Sequence, residues 1–476
     1  MSARAARAPR KISFFFSSSG DHAAFLRGAE GQGLGVGTWA WRAGAPRYRI
    51  LSTSGESLNS QPLPLEDGRV LVLRSGAGVH QLVLLAPGRE ERNLGRIDSR
   101  GLHLLPSPDP GTMAVAKGVS SDGNAALWLI KETGPHIEQV PRPRIRAGTL
   151  HGGHWLDDAG RTLGLDHHCC GRSRIVAVDL ATGTASWLTR STGGEDGGDS
   201  DHLLMSGPGS GRFLAARKTD GDFRLGWGRW DRGDWHLAFP EELSSFDGLV
   251  TPLAIDPAGR RVAISVEKGL RSDLYVCEPG EPGVCGLGEN GPCGRNRVRI
   301  PPGVLWPAAR WTPGGLHLVT SGPQRPTTIM TITSVTAGTP VAAGAPGHRR
   351  RGSGRDLAPP GGWAGAHAEV LAGPAGPVEA VIYGGPRWRE SERLLIALHG
   401  GPHAAWKLSF EPLLQDLAAA GMAVVAPNQR GSTGYGPAHR DAIRGAWGGP
   451  DLADLRHLAE SLSLYRRGRD LPAVRL

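Results

Sequence analysis

Two neighbouring stretches near the C-terminus decide the reading: LLIALHGGPHAAW, residues 394–406, and AVVAPNQRGSTGYG, residues 423–436. Leu394 to Leu398 is a short apolar run that stops at His399-Gly400-Gly401-Pro402, the pattern of a buried parallel strand ending in a tight turn. Phe410 to Ala420 places leucines at 413, 414 and 417 and ends at Gly421, which predicts an amphipathic helix with a glycine stop. Met422 to Pro427 then reads as a second buried strand. Strand, helix, strand is one parallel crossover unit, and ligands meet such units at the carboxyl ends of the strands, where both glycine-rich loops lie. Further on, Asp451 is expected to cap a helix carrying Leu452, Leu455, Leu458, Ala459 and Leu462, and Pro472 to Leu476 begins another apolar run.

Glycine lets a ligand come close to the main chain, so two such loops side by side can turn backbone N–H groups toward a developing negative charge. An HGGG-type loop after this strand supplies half of the oxyanion hole in α/β-type hydrolases, and His399-Gly400-Gly401-Pro402 resembles it. Taken with PNQRGSTGYG and the spacing between the loops, the stretch resembles the prolyl oligopeptidase family of serine peptidases, and within it the acylaminoacyl-peptidase branch. The resemblance implies that the Gly401 backbone N–H, or the Tyr435 hydroxyl, meets the oxyanion of a cleaved acyl group, with His399, Gly400 and Pro402 supporting the loop. Read singly, Gly-Gly-Pro is a common turn and Tyr435 an ordinary packed tyrosine; read together, they favour the site.

The same resemblance implies that the run starting at Pro472 leads into a G-x-S-x-G elbow, with Asp and then His following. That pentapeptide does not occur in the 476 residues; Ser210 and Ser432 come nearest and lack the upstream glycine. The chain is therefore expected to hold part of an oxyanion hole without the triad serine, aspartate and histidine, and to be inactive alone. The implied function is a serine-type peptidase acting on short peptides, acylaminoacyl- or dipeptidyl-peptidase-like, its catalytic half lying in further sequence or on a complementary polypeptide. Two alternatives stay open: a non-catalytic propeller binding module with a vestigial hydrolase fragment, and an acyl hydrolase of other specificity on the same scaffold. The incomplete sheet is expected to leave an open apolar edge.

Before this region one pattern recurs: a glycine-containing turn followed by four to six mostly apolar residues in alternation, as in DGRVLVLR, PGTMAVAK, SGRFLAAR and AGRRVAISV. The turn glycines stand at 20, 68, 111, 160, 211, 259 and 314, at intervals of 43 to 55 residues, and each unit carries a second β-like run. Period-two alternation and dense Gly and Pro disfavour helical solenoids of similar period and predict propeller blades. The expected fold class is thus an all-β seven-bladed propeller (1–345), a basic Gly/Pro-rich linker (346–367), and the incomplete N-terminal part of an α/β-hydrolase domain (368–476) opening on the hairpin AEVLAGPAGPVEAVIYGG. In the family resembled, the propeller covers the active site and admits short peptides.

Composition sets the remaining bounds. With 71 glycines and 37 prolines and no collagen period, the chain reads as loop-dense and β-rich. The net charge of +9 is spread over many turns without aromatic interleaving, so no nucleic-acid partner is expected. No apolar run approaches membrane-spanning length and ISFFF is too short for a secretory core, which predicts a cytoplasmic protein without membrane partners. Asp166-His167-His168-Cys169-Cys170 is metal-like in residue type, but adjacent strand residues point to opposite faces, so no metal site and no cofactor is expected. Cys277, Cys285 and Cys293 read as scattered thiols, and the tryptophan pairs 39/41, 227/230 and 306/311 as blade packing.

Overall fold

The computed structural model describes residues 10–475 except 29–32, 43–44, 142, 144, 146–147, 189–199, 220–221, 232–233, 244–245, 281–293, 334–361 and 402–403. The expectations placed on Pro402, on Cys285 and Cys293, and on most of the linker (346–361) lie outside the described residues.

Seven antiparallel sheets follow one another from Arg10–Phe16 to Arg325–Ile332, each with its strands in chain order; six have four strands and the last has three among the described residues. All seven turn glycines fall between the first and second strands of their sheets. Gly259 shows why the residue is needed there: its φ is 67°, and a Cβ would lie 2.2 Å from the Ser210 hydroxyl of the preceding sheet.

Alternation along the strands decides how the sheets assemble. In His22–Gly28, Ala24 and Leu26 pack with Val70, Val72 and Val83 of the second sheet, whereas Ala23 and Phe25 pack with Val319 and Ile329 of the seventh. Successive side chains point to opposite faces, so a strand buried on both faces must be apolar at nearly every position. The same arrangement repeats between each consecutive pair of sheets. Because the first sheet packs on both the second and the last, the assembly has the form of a β-propeller.

The C-terminal segment forms a mixed sheet of β1 (Ala366–Gly373), β2 (Gly376–Tyr383), β3 (Leu394–Ile396) and β4 (Ala423–Pro427), in the order β1-β2-β4-β3. β4 is antiparallel to β2 and parallel to β3. The crossover helix α1 (Pro412–Ala419) covers one face with Leu414, and α3 (Pro450–Arg467) covers the other with Leu458 and Leu462. A short helix, α2 (Pro437–Asp441), follows the second loop and was not anticipated. Asp451 does not cap α3: Gly449 occupies the N-cap and Pro450, with its preset φ, starts the helix. The outer side of β3 is paired, since Ile396 N–H donates to Arg475 O at 2.9 Å and Arg475 N–H to Leu394 O at 3.0 Å. The run from Pro472 thus enters the sheet parallel to β3, in place of an open edge there.

The two parts meet along the hairpin ends of the sixth and seventh sheets. Leu408 N–H donates to Leu270 O, Phe410 N–H to Ser321 Oγ and Gln415 Nε2 to Pro323 O, at 2.9, 2.9 and 2.7 Å. Leu270 is fully buried among Val381, Tyr383, Val424 and Ala426 of the sheet.

Candidate active site

Both glycine loops stand at the carboxyl ends of the parallel strands β3 and β4. The first leaves β3 through Ala397, whose N–H still pairs with Val425 O at 2.8 Å. Gly400 and Gly401 are exposed, and Gly401 adopts φ of 146°, which few residues but glycine tolerate. Among the described residues nothing accepts the Gly401 N–H, so it remains available to a ligand.

The loops are tied together through side chains. His399 Nε2 lies 2.8 Å from Ser432 Oγ, and His399 Nδ1 lies 3.0 Å from Gly400 O. Burial holds the imidazole below its ordinary pKa, and a neutral ring has one N–H. A carbonyl can only accept, so the Ser432 hydroxyl donates to Gln429 O at 2.7 Å, and the ring proton of His399 sits on Nε2 and is donated to Ser432 Oγ. The Gln429 carbonyl also accepts from His439 Nε2 at 3.0 Å. This serine and histidine have the contact of a nucleophile and base, but Ser432 is fully buried and no substrate reaches it. The pair braces one loop against the other.

A second brace runs through Asn428, the residue after β4. Its Oδ1 accepts Trp406 N–H at 2.8 Å and its Nδ2 donates to Trp406 O at 3.0 Å and to the Tyr435 hydroxyl oxygen at 2.7 Å. Tyr435 in turn donates its only hydroxyl proton to Glu379 on β2, at 2.9 Å. Burial raises the phenol well above its usual range, so it stays protonated. The structure therefore places Tyr435 between Asn428 and Glu379 with its donor already engaged. Of the residues singled out from sequence, His399, Gly400, Gly401 and Tyr435 gather at these loops, joined by Ser432. Glu379 was missed because it comes from β2; Asn428 and the Trp406 backbone lie inside the two quoted stretches but carry no local signal that marks them as a brace.

The propeller closes over the second loop. Gly269, in the hairpin turn of the sixth sheet, donates its N–H to Gly434 O at 2.9 Å, while Lys407 forms an ion pair with Glu267. Gly269 has φ of 58°, and a Cβ there would meet Glu379 Oε2 at 2.2 Å and the Tyr435 ring at 3.3 Å. Gly269→Ala is expected to cost roughly 1–3 kcal/mol and to raise amide exchange across residues 431–436. Gly78, in the matching turn of the second sheet, has φ of 87° with nothing within 4 Å of a Cβ, so Gly78→Ala isolates the conformational cost alone. Equal losses in the two variants would remove the close packing on Glu379 and Tyr435 from the account.

The metal-like cluster resolves differently. Asp166 accepts Leu203 N–H at 2.7 Å and faces His202 Nδ1 at 3.2 Å, and His168 faces Ser173. Among the described residues no group of three His, Cys, Asp or Glu side chains is arranged to hold a metal. No described helix is long and apolar enough to cross a membrane.

A propeller joined to a mixed sheet, with two glycine loops at its parallel strand ends, has the architecture of the propeller-capped hydrolases. Residues 408–464, which include the second loop, match the prolyl oligopeptidase family. A probable dipeptidyl-peptidase 5 of Emericella nidulans is 45% identical over 64 residues, 13% of this chain and 9% of that protein. The alignable sequence thus spans about a tenth of the relative's length. Two solved structures share the fold: a puromycin-hydrolyzing peptidase of Mycobacterium tuberculosis (TM-score 0.61, 18% identity, 99% of this chain and 73% of that one) and the acylaminoacyl peptidase of Pyrococcus horikoshii (TM-score 0.59, 13% identity, 95% and 71%).

Proposed function

We propose that this chain is the propeller and leading catalytic segment of a serine peptidase that acts on short peptides, of acylaminoacyl- or dipeptidyl-peptidase type. The observation that carries the reading is the unclaimed Gly401 N–H on an exposed loop, held against a second loop whose Asn428 amide and Tyr435 hydroxyl are already engaged. A fixed donor of this kind stabilises an oxyanion without reorganising when charge develops. Gly401 is the donor in this scheme, and Tyr435 anchors the loop, because donation to a substrate would first break its bond to Glu379.

The scheme takes the seven sheets (1–345) as a closed seven-bladed ring, joined through 346–367 to the hydrolase segment 368–476. The triad serine, aspartate and histidine come from further sequence or from a complementary polypeptide. The protein works in the cytoplasm on short peptides, without nucleic acid or membrane.

The test compares this chain with the same chain joined to a segment carrying a G-x-S-x-G elbow and its Asp and His. The first is expected neither to hydrolyse acyl-amino-acid or dipeptidyl p-nitroanilides nor to label with a fluorophosphonate, and the second to do both. In the active form Tyr435→Phe is expected to change kcat by less than about threefold; a loss of roughly a hundredfold or more would assign its hydroxyl to the oxyanion. Labelling of the present chain at a defined serine would overturn the scheme.

A further inference from the structure

The seam between the first and seventh sheets is built differently from the rest of the ring. One extra residue in the inner strand recurs in several sheets, but Val304–Thr312 carries two between Leu305 and Ala309, which pushes out Trp306. Trp306 is 43% exposed and so does not pack within its blade as its sequence position led us to expect. Facing it, Arg10–Phe16 bulges between Ile12 and Phe15, and Ser13 takes φ of 54°, a conformation that a residue with a Cβ seldom holds. The two bulges flank a cavity of about 490 Å3, closed by Phe410, Glu411 and Pro412 of the hydrolase segment. That volume lies within the roughly 300–1,000 Å3 of small-molecule sites.

The walls are apolar and aromatic, supplied by Ile12, Phe14, Trp306, Val319 and Phe410. Glu411 is the acid among them. Its Oε1 accepts Ser409 Oγ at 3.0 Å, and among the described residues nothing donates to Oε2. Arg10 is exposed and near enough to Glu411 to act on its carboxyl, and has no bonded partner among the described residues. Lys11 is drawn toward the Tyr48 ring, 5.6 Å from its centroid. An unpaired acid and an unpaired guanidinium flanking an aromatic cavity match a ligand with both charges and an apolar body.

We infer that the seam cavity binds a zwitterionic apolar amino acid or dipeptide, its ammonium on Glu411, its carboxylate on Arg10 and its side chain among Phe14, Trp306 and Phe410. The binding claim rests on the cavity alone; its meaning as product recognition rests on the function proposed above. The segment from Trp406 to Glu411 connects the cavity to the first glycine loop, so occupancy bears on the position of Trp406 and, through it, Asn428.

Titration of the 476-residue chain with phenylalanine and with phenylalanyl-leucine, followed by calorimetry and tryptophan fluorescence, tests this without any peptidase activity. Saturable binding is expected, weakened at least tenfold by Glu411→Gln. Arg10→Ala should weaken phenylalanine but not phenylalaninamide, which lacks the carboxylate. Val319→Trp, which fills the cavity, should abolish binding while thermal melting shows the variant folded; Glu411→Gln keeps the test valid if it is not. Absence of saturable binding at millimolar ligand, equal affinity of N-acetyl-phenylalanine, or an unchanged affinity in Glu411→Gln would overturn the assignment.

Discussion

Asp454→Ala is expected to destabilise the hydrolase segment by about 2–4 kcal/mol, because it leaves the partly buried Arg430 guanidinium and a backbone N–H without their acceptor. Asp454 lies in the second turn of α3 and is 2% exposed. Its Oδ2 accepts the Arg430 backbone N–H at 2.8 Å, and its Oδ1 accepts Arg430 Nε and Nη2 at 3.0 and 2.7 Å. Arg430 Nη2 also donates to Pro450 O at 2.9 Å, so one side chain ties the second glycine loop to the start of the helix. Alanine removes all four contacts to Arg430 together and leaves both a guanidinium and a backbone N–H without this acceptor. Asp454→Asn keeps the volume and one acceptor and should lose clearly less. Denaturant unfolding, with amide exchange to separate the parts, should show protection lost at Arg430, Ser432 and Tyr435 and retained in the propeller strands. A variant melting within about a degree of the parent would show that the pair contributes nothing net.

The propeller was legible because its signal is repeated. A glycine turn followed by alternating apolar residues fixes where a sheet begins, and all seven predicted glycines occupy the same turn. What the sequence hid was which neighbour each face meets, since Ala23 and Ala24 look alike and yet face the seventh and second sheets respectively. Boundaries moved by small amounts for local reasons. α1 begins at Pro412, two residues inside the expected span, because proline suits the first helical turn. β1 begins at Ala366, two residues within the expected linker, because pairing to Tyr383 extends the hairpin.

The site was legible only where chemistry and local sequence coincide. Gly401 and Tyr435 stand in loops whose glycines mark them, whereas Glu379 lies 56 residues before Tyr435 with nothing in its surroundings to announce the contact. Gly269 belongs to the propeller, and its role follows from a close approach that no spacing encodes. The role of Tyr435 turns on where one proton goes, which depends on Glu379 and Asn428 being on either side of it. A sequence motif locates the loop and even holds Asn428, but Glu379, the partner that takes the proton, comes from a distant strand.

Acidification is expected to weaken the propeller from about pH 6.5 downward, and His317→Gln to remove much of that dependence. His317 is 3% exposed, its ring 4.2 Å from that of Trp41, with Nδ1 2.8 Å from Thr331 Oγ1. Burial pushes its pKa down to about 4, with Asp21 opposing weakly. His154 is likewise pushed to about 4 by burial, with the positive charges of Lys117 and Arg310 adding to the effect. In the unfolded chain a histidine titrates near 6.5, so between pH 6.5 and 4 the unfolded state binds protons that the folded state refuses. Stability from these groups is complete above pH 6.5 and is lost as pH falls toward 4, at about 1.36 kcal/mol per unit per histidine. For His317 that amounts to at most about 3 kcal/mol over the window. Asp166 and Glu411, whose carboxyls burial raises, act with the opposite sign, so the informative quantity is the difference between parent and variant. Urea unfolding at pH 7, 5.5 and 4.5 should show the parent losing more stability than His317→Gln at each step. Parallel curves for the two proteins would mean that His317 takes up its proton in the folded state as readily as in the unfolded one.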